Sequence, residues 1–281
     1  MAPDDLEFLA QLLKDRSGLV LTKDKGYLLE NRLMPVVRGR QFKKLADMIG
    51  ALRLGNAGLT EDAVDAMLPK DTGFFRDWTP FEHFRKVVIT NALKLRSAKK
   101  TLRVLCAGVS TGQEAYSIAM AVHEARGLVG WPCEIVGIDL SPSALKAAEA
   151  AVYSQFDVQR GLPIRVLLKY FTKDEESWRL NDPIRAIPKF QFWNVLDDLF
   201  PLGRFDVILC RNVLPYFDMQ TKFNVVQKLS RALTDDGVLY VGLREPLSGV
   251  STSVKAADAD LGIYVVNRAE RGISQSLADP V

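Results

Sequence analysis

The chain has 281 residues, 48% hydrophobic and 25% charged, with 37 Lys and Arg against 34 Asp and Glu for a net charge of +3. Such a chain is long enough to bury a real core as one large domain or two smaller ones, and its composition excludes a disordered or collagen-like polymer. Three cysteines without CxxC spacing and only two histidines exclude a disulfide scaffold and a structural zinc site, and +3 is too small a charge to announce nucleic acid as a partner.

The opening stretch, MAPDDLEFLAQLLKD, is acidic and periodic and does not read as a signal peptide. No apolar run reaches the roughly 18 residues of a membrane span, so a cytoplasmic protein with no direct membrane insertion is expected. To about residue 98 the pattern is helical: LEFLAQLLK, YLLENRLMPVV, KKLADMIGALR and EDAVDAML place apolar residues three and four apart. Gly18, Pro35, Gly39 and GNAG at 55–58 punctuate these runs. The polar, basic SAKKT at 97–101 suits a domain edge. The expected organisation is a helical domain over 1–98, a second domain over 99–269 and a polar tail over 270–281.

Charge divides along the same boundary. Residues 1–100 hold 18 Lys and Arg against 13 Asp and Glu, whereas residues 101–281 hold 19 against 21. Much of the excess lies between Lys25 and Lys44, where Arg32, Arg38, Arg40, Lys43 and Lys44 face Glu30 alone. Such a run is either a solvated helix face or a docking surface for an acidic macromolecule.

Beyond residue 100 strands alternate with helices. LRVLCAGV (102–109), EIVGIDL (134–140), FQFWNVL (190–196), FDVILC (205–210) and GVLYVGL (237–243) read as strands. GQEAYSIAMAVHEA (112–125), SPSALKAAEAAV (141–152) and MQTKFNVVQKLSRAL (219–233) read as helices, the second opening with Ser141 as N-cap and Pro142 in the first turn. This alternation predicts an α/β domain with a mostly parallel sheet covered on both faces. Residues 153–189 break the rhythm and read as an insertion of short helices with a small hairpin.

In such sheets ligands bind beyond the carboxyl ends of the strands. The first end, Ala107-Gly108-Val109-Ser110-Thr111-Gly112, lets a ligand approach backbone and a helix N-terminus. The second ends in Asp139, either an acceptor for ribose hydroxyls or a helix-capping carboxylate. Together these ends favour a nucleoside ligand, and the absence of GxxxxGK[ST] argues against a nucleotide held by its phosphates. After the fourth strand run comes Cys210-Arg211-Asn212-Val213-Leu214-Pro215-Tyr216-Phe217. It differs in spacing from the NPPY box of amino-group DNA methylases, with two residues between Asn212 and Pro215 where that box has one. Thr72-Gly73-Phe74-Phe75-Arg76, outside the sheet region, is either a domain-packing anchor or a segment that closes over the ligand.

FFR, CAGVSTGQEAYSIA, GIDLS, RGLP with LLKYF, FWNVL, CRNVLPYF and DDGVLYVG occur in the order found in CheR-type methyltransferases, and the chain resembles that family from about residue 5 to 268. The resemblance implies transfer of a methyl group from S-adenosylmethionine to glutamate side chains of bacterial chemoreceptors. It implies a class I methyltransferase, Rossmann-like doubly wound sheet whose last strand is antiparallel, an all-α N-terminal domain and a small β-subdomain inserted around 170–190. Where motifs match, Thr72, Arg76, Gly108, Glu114, Asp139, Asn194, Val195, Arg211 and Asn212 become the implied cofactor contacts, with Arg76 and Tyr216 the pair beside the transferred methyl.

Two departures stand out. Lys70 replaces the Asn of the family's NxTxFFR, and Leu243-Arg244-Glu245 replaces an HSE-like turn. A glutamate carboxylate is ionised at pH 7, so the reaction needs no general base, and neither His83 nor His123 is expected to act in it. The expected partner is the helical bundle of a methyl-accepting chemoreceptor, docked on Arg32, Arg38, Arg40, Lys43 and Lys44. The expected protein is a monomer that binds no nucleic acid or metal. The competing readings are a methyltransferase for nucleic acid or a small molecule, and a cofactor-binding scaffold without turnover.

Overall fold

The computed structural model describes residues 2–21, 26–95 and 100–270. Four helices come first: α1 (Pro3–Ser17), α2 (Gly26–Gly39), α3 (Leu45–Arg53) and α4 (Ala57–Met67). Their three- and four-residue apolar spacing puts Leu9, Leu13, Leu33, Val37, Met48, Ile49, Leu52, Leu59 and Val64 into one core. Asn56 caps α4 by accepting from the Leu59 amide at 3.0 Å. At the end of α1, Gly18 turns with φ of 73° and donates to the Lys14 carbonyl at 2.8 Å.

Next come α5 (Thr79–His83), a π turn (Phe84–Val88) and α6 (Ile89–Leu95). Sequence placed these with the helical domain. Their apolar side chains Phe81, Phe84, Val88, Ile89 and Ala92 instead join the core of the sheet, together with Phe74 and Phe75. By packing, the break therefore falls just after Met67, about thirty residues before the expected boundary at 98.

The sheet domain runs β1 (Leu102–Ala107), α7 (Gln113–Glu124), β2 (Cys133–Asp139) and α8 (Pro142–Ala150), then, after an insertion, β6 (Pro188–Phe192), β7 (Phe205–Cys210), α12 (Met219–Ala232), β8 (Leu233–Val241), β9 (Val254–Asp258) and β10 (Ile263–Val266). The insertion holds β3 (Val152–Ser154), α9 (Gln155–Gln159), α10 (Ile164–Tyr170), β4 (Phe171–Asp174), β5 (Ser177–Leu180) and α11 (Asp182–Arg185). The large sheet has the order β6-β2-β1-β7-β8-β10-β9. Strands β6 to β8 in that order pair in parallel, and β10 lies antiparallel to both β8 and β9.

Strand periodicity explains the two-sided core. Val104 and Cys106 of β1, with Val207 and Leu209 of β7, share one cluster with α7; Leu105, Ala107, Ile208 and Cys210 share the other with Val225, Val226 and Leu229 of α12. The three cysteines are free, Cys106 and Cys210 being buried core residues. The inserted sheet has three antiparallel strands in the order β3-β5-β4. It spans 152–180 rather than about 170–190, because β6 already pairs with β2 from Pro188 onward. FQFWNVL divides likewise: Phe192 is the last residue of β6, and Trp193, Asn194 and Val195 leave the sheet.

The helical domain is tied down at several points. The Val20 amide donates to the Tyr216 carbonyl at 2.8 Å, and Asn194 Nδ2 donates to the Arg16 carbonyl at 2.8 Å. Lys14 pairs with Asp218 at 2.8 Å, and Asp218 caps α12 through the Thr221 amide. A Cβ at Gly18 would sit 3.0 Å from the Phe217 ring, so glycine there allows α1 to end against the sheet domain.

Candidate active site

Strand β1 has β2 on one side and β7 on the other, so the chain crosses over between them and the loops beyond their carboxyl ends diverge. A cleft of ≈ 960 Å³, open to solvent, occupies this switch point. Thr72, Arg76, Gly108, Glu114, Asp139, Asn194, Val195, Arg211, Asn212 and Tyr216 all line it. The sheet domain thus gathers into one cleft every residue assigned from motifs to cofactor or methyl.

Local backbone explains how. Ser110 and Asn212, one after β1 and one after β7, both adopt positive φ, at 52° and 61°. Phe75, Asp77 and Trp78, on the third side, do the same at 47°, 64° and 39°. Left-handed non-glycine residues are costly and persist only where the surroundings hold them; Ser110 and Asn212 line the cleft itself, and Asp77 is held by Arg211. Gly108 has φ of 73°, and a Cβ on it would lie 2.5 Å from Val213 Cγ2, so the β1 and β7 loops approach as only glycine allows.

Arg211 joins the three sides. Its side chain is 1% exposed, with Nη1 donating to Glu114 Oε2 at 2.7 Å and Nη2 to Asp77 Oδ2 at 2.7 Å and the Arg76 carbonyl at 2.9 Å. A buried guanidinium holding two carboxylates fixes α7, the FFR segment and the β7 loop in one arrangement. Burial pushes the Glu114 carboxyl above its ordinary range, against the charge and hydrogen bond of Arg211.

Asp139 both ties down a helix start and lines the cleft. Its Oδ2 accepts from the Ser110 amide at 2.7 Å and its Oδ1 from the Ser141 amide at 2.8 Å, so it staples the β1 loop to the start of α8 while lining the cleft. A carboxylate has about four lone-pair sites, which leaves capacity for a diol. Burial raises its pKa, opposed by the backbone amides.

Several lining residues carried no local signal. Ser17 and Leu19 come from the end of α1, and Leu68 and Pro69 from the segment after α4. Asp71 stands beside a quoted motif and Trp193 within one, but neither was singled out. Lys70, the first departure, does not line the cleft: its Nζ donates to Ser143 Oγ at 2.6 Å and Asp65 Oδ2 at 3.4 Å. Asp65 also accepts from the Ser141 and Ser143 hydroxyls, so Lys70 belongs to an α4–α8 tie. At the second departure Glu245 is 6% exposed and accepts from the Gly242 amide at 3.2 Å, beneath the β7 loop.

The basic run separates into two kinds. Arg32 donates to the Met67 carbonyl at 2.6 Å, and Arg40 pairs with Asp62 at 2.6 Å and reaches the Gly58 carbonyl. Both fasten α2 to α4. Arg38, Lys43 and Lys44 are exposed, Lys44 having only a 3.9 Å approach to Asp47; Lys25 lies outside the described residues. The histidines pack away from the cleft, His83 Nδ1 lying 2.7 Å from the Tyr240 hydroxyl and His123 edge-on to Tyr170.

Whether the lining suits a nucleoside with a charged amino-acid arm can be judged from its orphaned groups. Ser110 Oγ, Trp193 Nε1 and Arg211 Nε are buried without a hydrogen-bond partner, and all three residues line the cleft. Together with the Asp139 and Glu114 carboxylates and the glycine-lined approach at 108, they provide the polar complement such a ligand needs.

Comparison with known proteins agrees. Residues 4–68 match the family "CheR methyltransferase, all-alpha domain" and residues 70–263 match "CheR methyltransferase, SAM binding domain". The chain is 33% identical over 264 residues to "Chemotaxis protein methyltransferase 1" of Pseudomonas aeruginosa, covering 92% of this chain and 96% of that one. It is 32% identical over 265 residues to "Chemotaxis protein methyltransferase Cher2" of Pseudomonas putida, with the same coverage. With "Chemotaxis protein methyltransferase" of Borreliella burgdorferi it shares 29% over 254 residues, 88% of this chain and 89% of the relative. Two domains matched in full order, and a cleft built from both, make this chain a member of the CheR methyltransferase family, S-adenosylmethionine-dependent enzymes of bacterial chemotaxis.

Proposed function

We propose that the protein esterifies glutamate side-chain carboxylates on the cytoplasmic helical bundle of a methyl-accepting chemoreceptor, acting as a cytoplasmic monomer. The observation that carries this reading is the placement of Arg76 and Tyr216 in the same cleft as Glu114, Asp139 and Arg211. Cofactor-binding carboxylates and a carboxylate-binding cation thus share one space.

When bound, S-adenosylmethionine supplies an electrophilic methyl on its sulfonium. Thr72, Gly108, Asn194, Val195 and Asn212 line the space it would take, where Asp139 would accept from its ribose hydroxyls and Glu114 would hold its ammonium. Arg76 stands at the cleft where the acceptor would enter, with Arg211 buried behind it holding Glu114 and Asp77. The acceptor glutamate is already a nucleophile at neutral pH, so the protein's work is orientation and exclusion of water. Arg76 is half-buried at the cleft edge, where it can hold one carboxylate oxygen and leave the other to react. Tyr216 lies half-buried in the same cleft, its backbone carbonyl held by the Val20 amide, where its phenol would border acceptor and methyl together.

Docking of the receptor falls to Arg38, Lys43 and Lys44, exposed members of the basic run, because methylatable helices are rich in glutamate. Arg32, half-buried, and Arg40, exposed, support that surface by fixing α2 on α4.

The Arg76→Ala variant tests the assignment. Turnover on a receptor fragment should fall about 100-fold, the order expected for a lost charged positioning contact, while S-adenosylhomocysteine affinity by calorimetry stays within about threefold. Equal losses in turnover and affinity would make Arg76 a cofactor ligand only.

A further inference from the structure

Arg76 is already engaged. Its Nη1 lies 3.1 Å from Asp71 Oδ2 and donates to the Asp71 carbonyl at 3.0 Å. A carboxylate of this protein thus sits on the cation assigned above to the acceptor's carboxylate, and any incoming glutamate must displace it. Displacement would ordinarily strand Asp71 as an unpaired anion beside an approaching one.

A second arginine prevents that. Arg160, from the inserted subdomain, donates from Nη2 to the other oxygen, Asp71 Oδ1, at 3.0 Å. The two arginines hold different oxygens, so Arg76 can leave while Arg160 remains. Burial works to raise the Asp71 pKa, but the Arg160 hydrogen bond and the charges of Arg76 and Arg160 outweigh it and lower it.

Arg160 is built into place. A capping box between Ser154 and Asp157 starts α9, and the helix ends at Gln159. Gly161 follows with φ of 90°, and a Cβ there would lie 2.3 Å from the Phe74 carbonyl oxygen, so only glycine lets this turn press on the FFR segment. The Arg160 guanidinium lies 5.4 Å from the centre of the Phe156 ring. Arg160 itself does not line the cleft, so it acts there through Asp71.

We propose that Arg160 is a positioning residue for the methyl acceptor: it retains Asp71 when substrate arrives and so releases Arg76 to the incoming glutamate. This rests on the reading of Arg76 as the acceptor's partner. The inserted subdomain then sets access of the acceptor to the cleft.

Steady-state methylation of a chemoreceptor cytoplasmic fragment at saturating cofactor tests the inference. Arg160→Ala should raise KM for the receptor about fivefold, as the weakening of one half-exposed ion pair would, with kcat and S-adenosylhomocysteine affinity changed less than about twofold. Arg160→Lys should recover most of the loss. In the Asp71→Asn, Arg160→Ala double variant no carboxylate competes for Arg76, so KM should return to near the parent value. A merely structural tie between subdomain and FFR segment would not be repaired by removing the second partner as well. An unchanged KM in Arg160→Ala, or a raised KM that persists in the double variant, overturns the inference. Arg76→Ala run alongside separates the two readings: if it lacks effect, the assignment of Arg76 fails, and if it is impaired while Arg160→Ala is silent, only the role of Arg160 fails.

Discussion

The cleft has two unlike walls. On the sheet side, Gly108, Ser110, Glu114, Asp139, Arg211 and Asn212 come from strand ends and the helix starts that follow them, in strained backbone locked by Arg211 and Asp139. On the helical side, Ser17, Leu19, Leu68 and Pro69 come from the ends of two helices that reach the cleft only because the domains are tied together. The first wall is preorganised chemistry, and the second is placement. A rigid site with a wall borrowed from a neighbouring domain can couple what docks on that domain to what happens in the cleft.

Arg211→Met strikes the sheet wall hardest. It leaves Glu114 buried without its cation and frees Asp77, which should cost about 3–5 kcal/mol in a urea melt and abolish detectable S-adenosylhomocysteine binding. A stable variant that still binds would show that the ion-pair lock is not what organises this wall.

Glu245 gives a pH-dependent test of the same wall. Burial raises its pKa to about 7, against the Gly242 and Asn212 amides and the charge of Arg211 that favour the anion. A carboxyl raised in the folded state leaves stability intact below its unfolded pKa and diminishes it as pH rises through the folded value. Glu245→Gln should therefore melt higher than the parent at pH 8, by on the order of 2–3 kcal/mol, with the difference vanishing near pH 4. A difference independent of pH would remove Glu245 as the cause.

The helical wall is tested by charge reversal. Glutamate at Arg38, Lys43 and Lys44 together should raise KM for receptor several-fold, about 3- to 10-fold at low salt and less at high salt, while cofactor affinity stays put. An equal effect on cofactor affinity would mean that the two walls are not separable.

The difference between the walls is also the difference in what could be read from sequence. Gly108, Asp139 and Asn212 sit at strand ends where local rules restrict residue type, so their place at the cleft was legible before the fold. The run FDVILC predicted β7 in full because a doubly covered strand is continuously apolar. Phe81 and Phe84 share helical periodicity with the first four helices, and periodicity says which face is buried but not against what, so their membership of the sheet core was not legible. Arg32 and Arg40 looked like Arg38 in sequence, and only their partners, the Met67 carbonyl and Asp62, separate scaffold from surface. Ser17 and Leu19 carried no signal because nothing local to them makes a site.

The central claim is that a carboxylate, held by Arg76 in this cleft, receives the methyl group. The direct measurement is incubation of the protein with S-adenosylmethionine tritiated in its methyl group and a chemoreceptor cytoplasmic fragment, followed by mild base and mass spectrometry of the peptides. Label released as methanol from a base-treated aliquot, and located on glutamate residues in the peptides of an untreated one, is the predicted result. Label that survives base, or that appears on any other residue, would contradict the account.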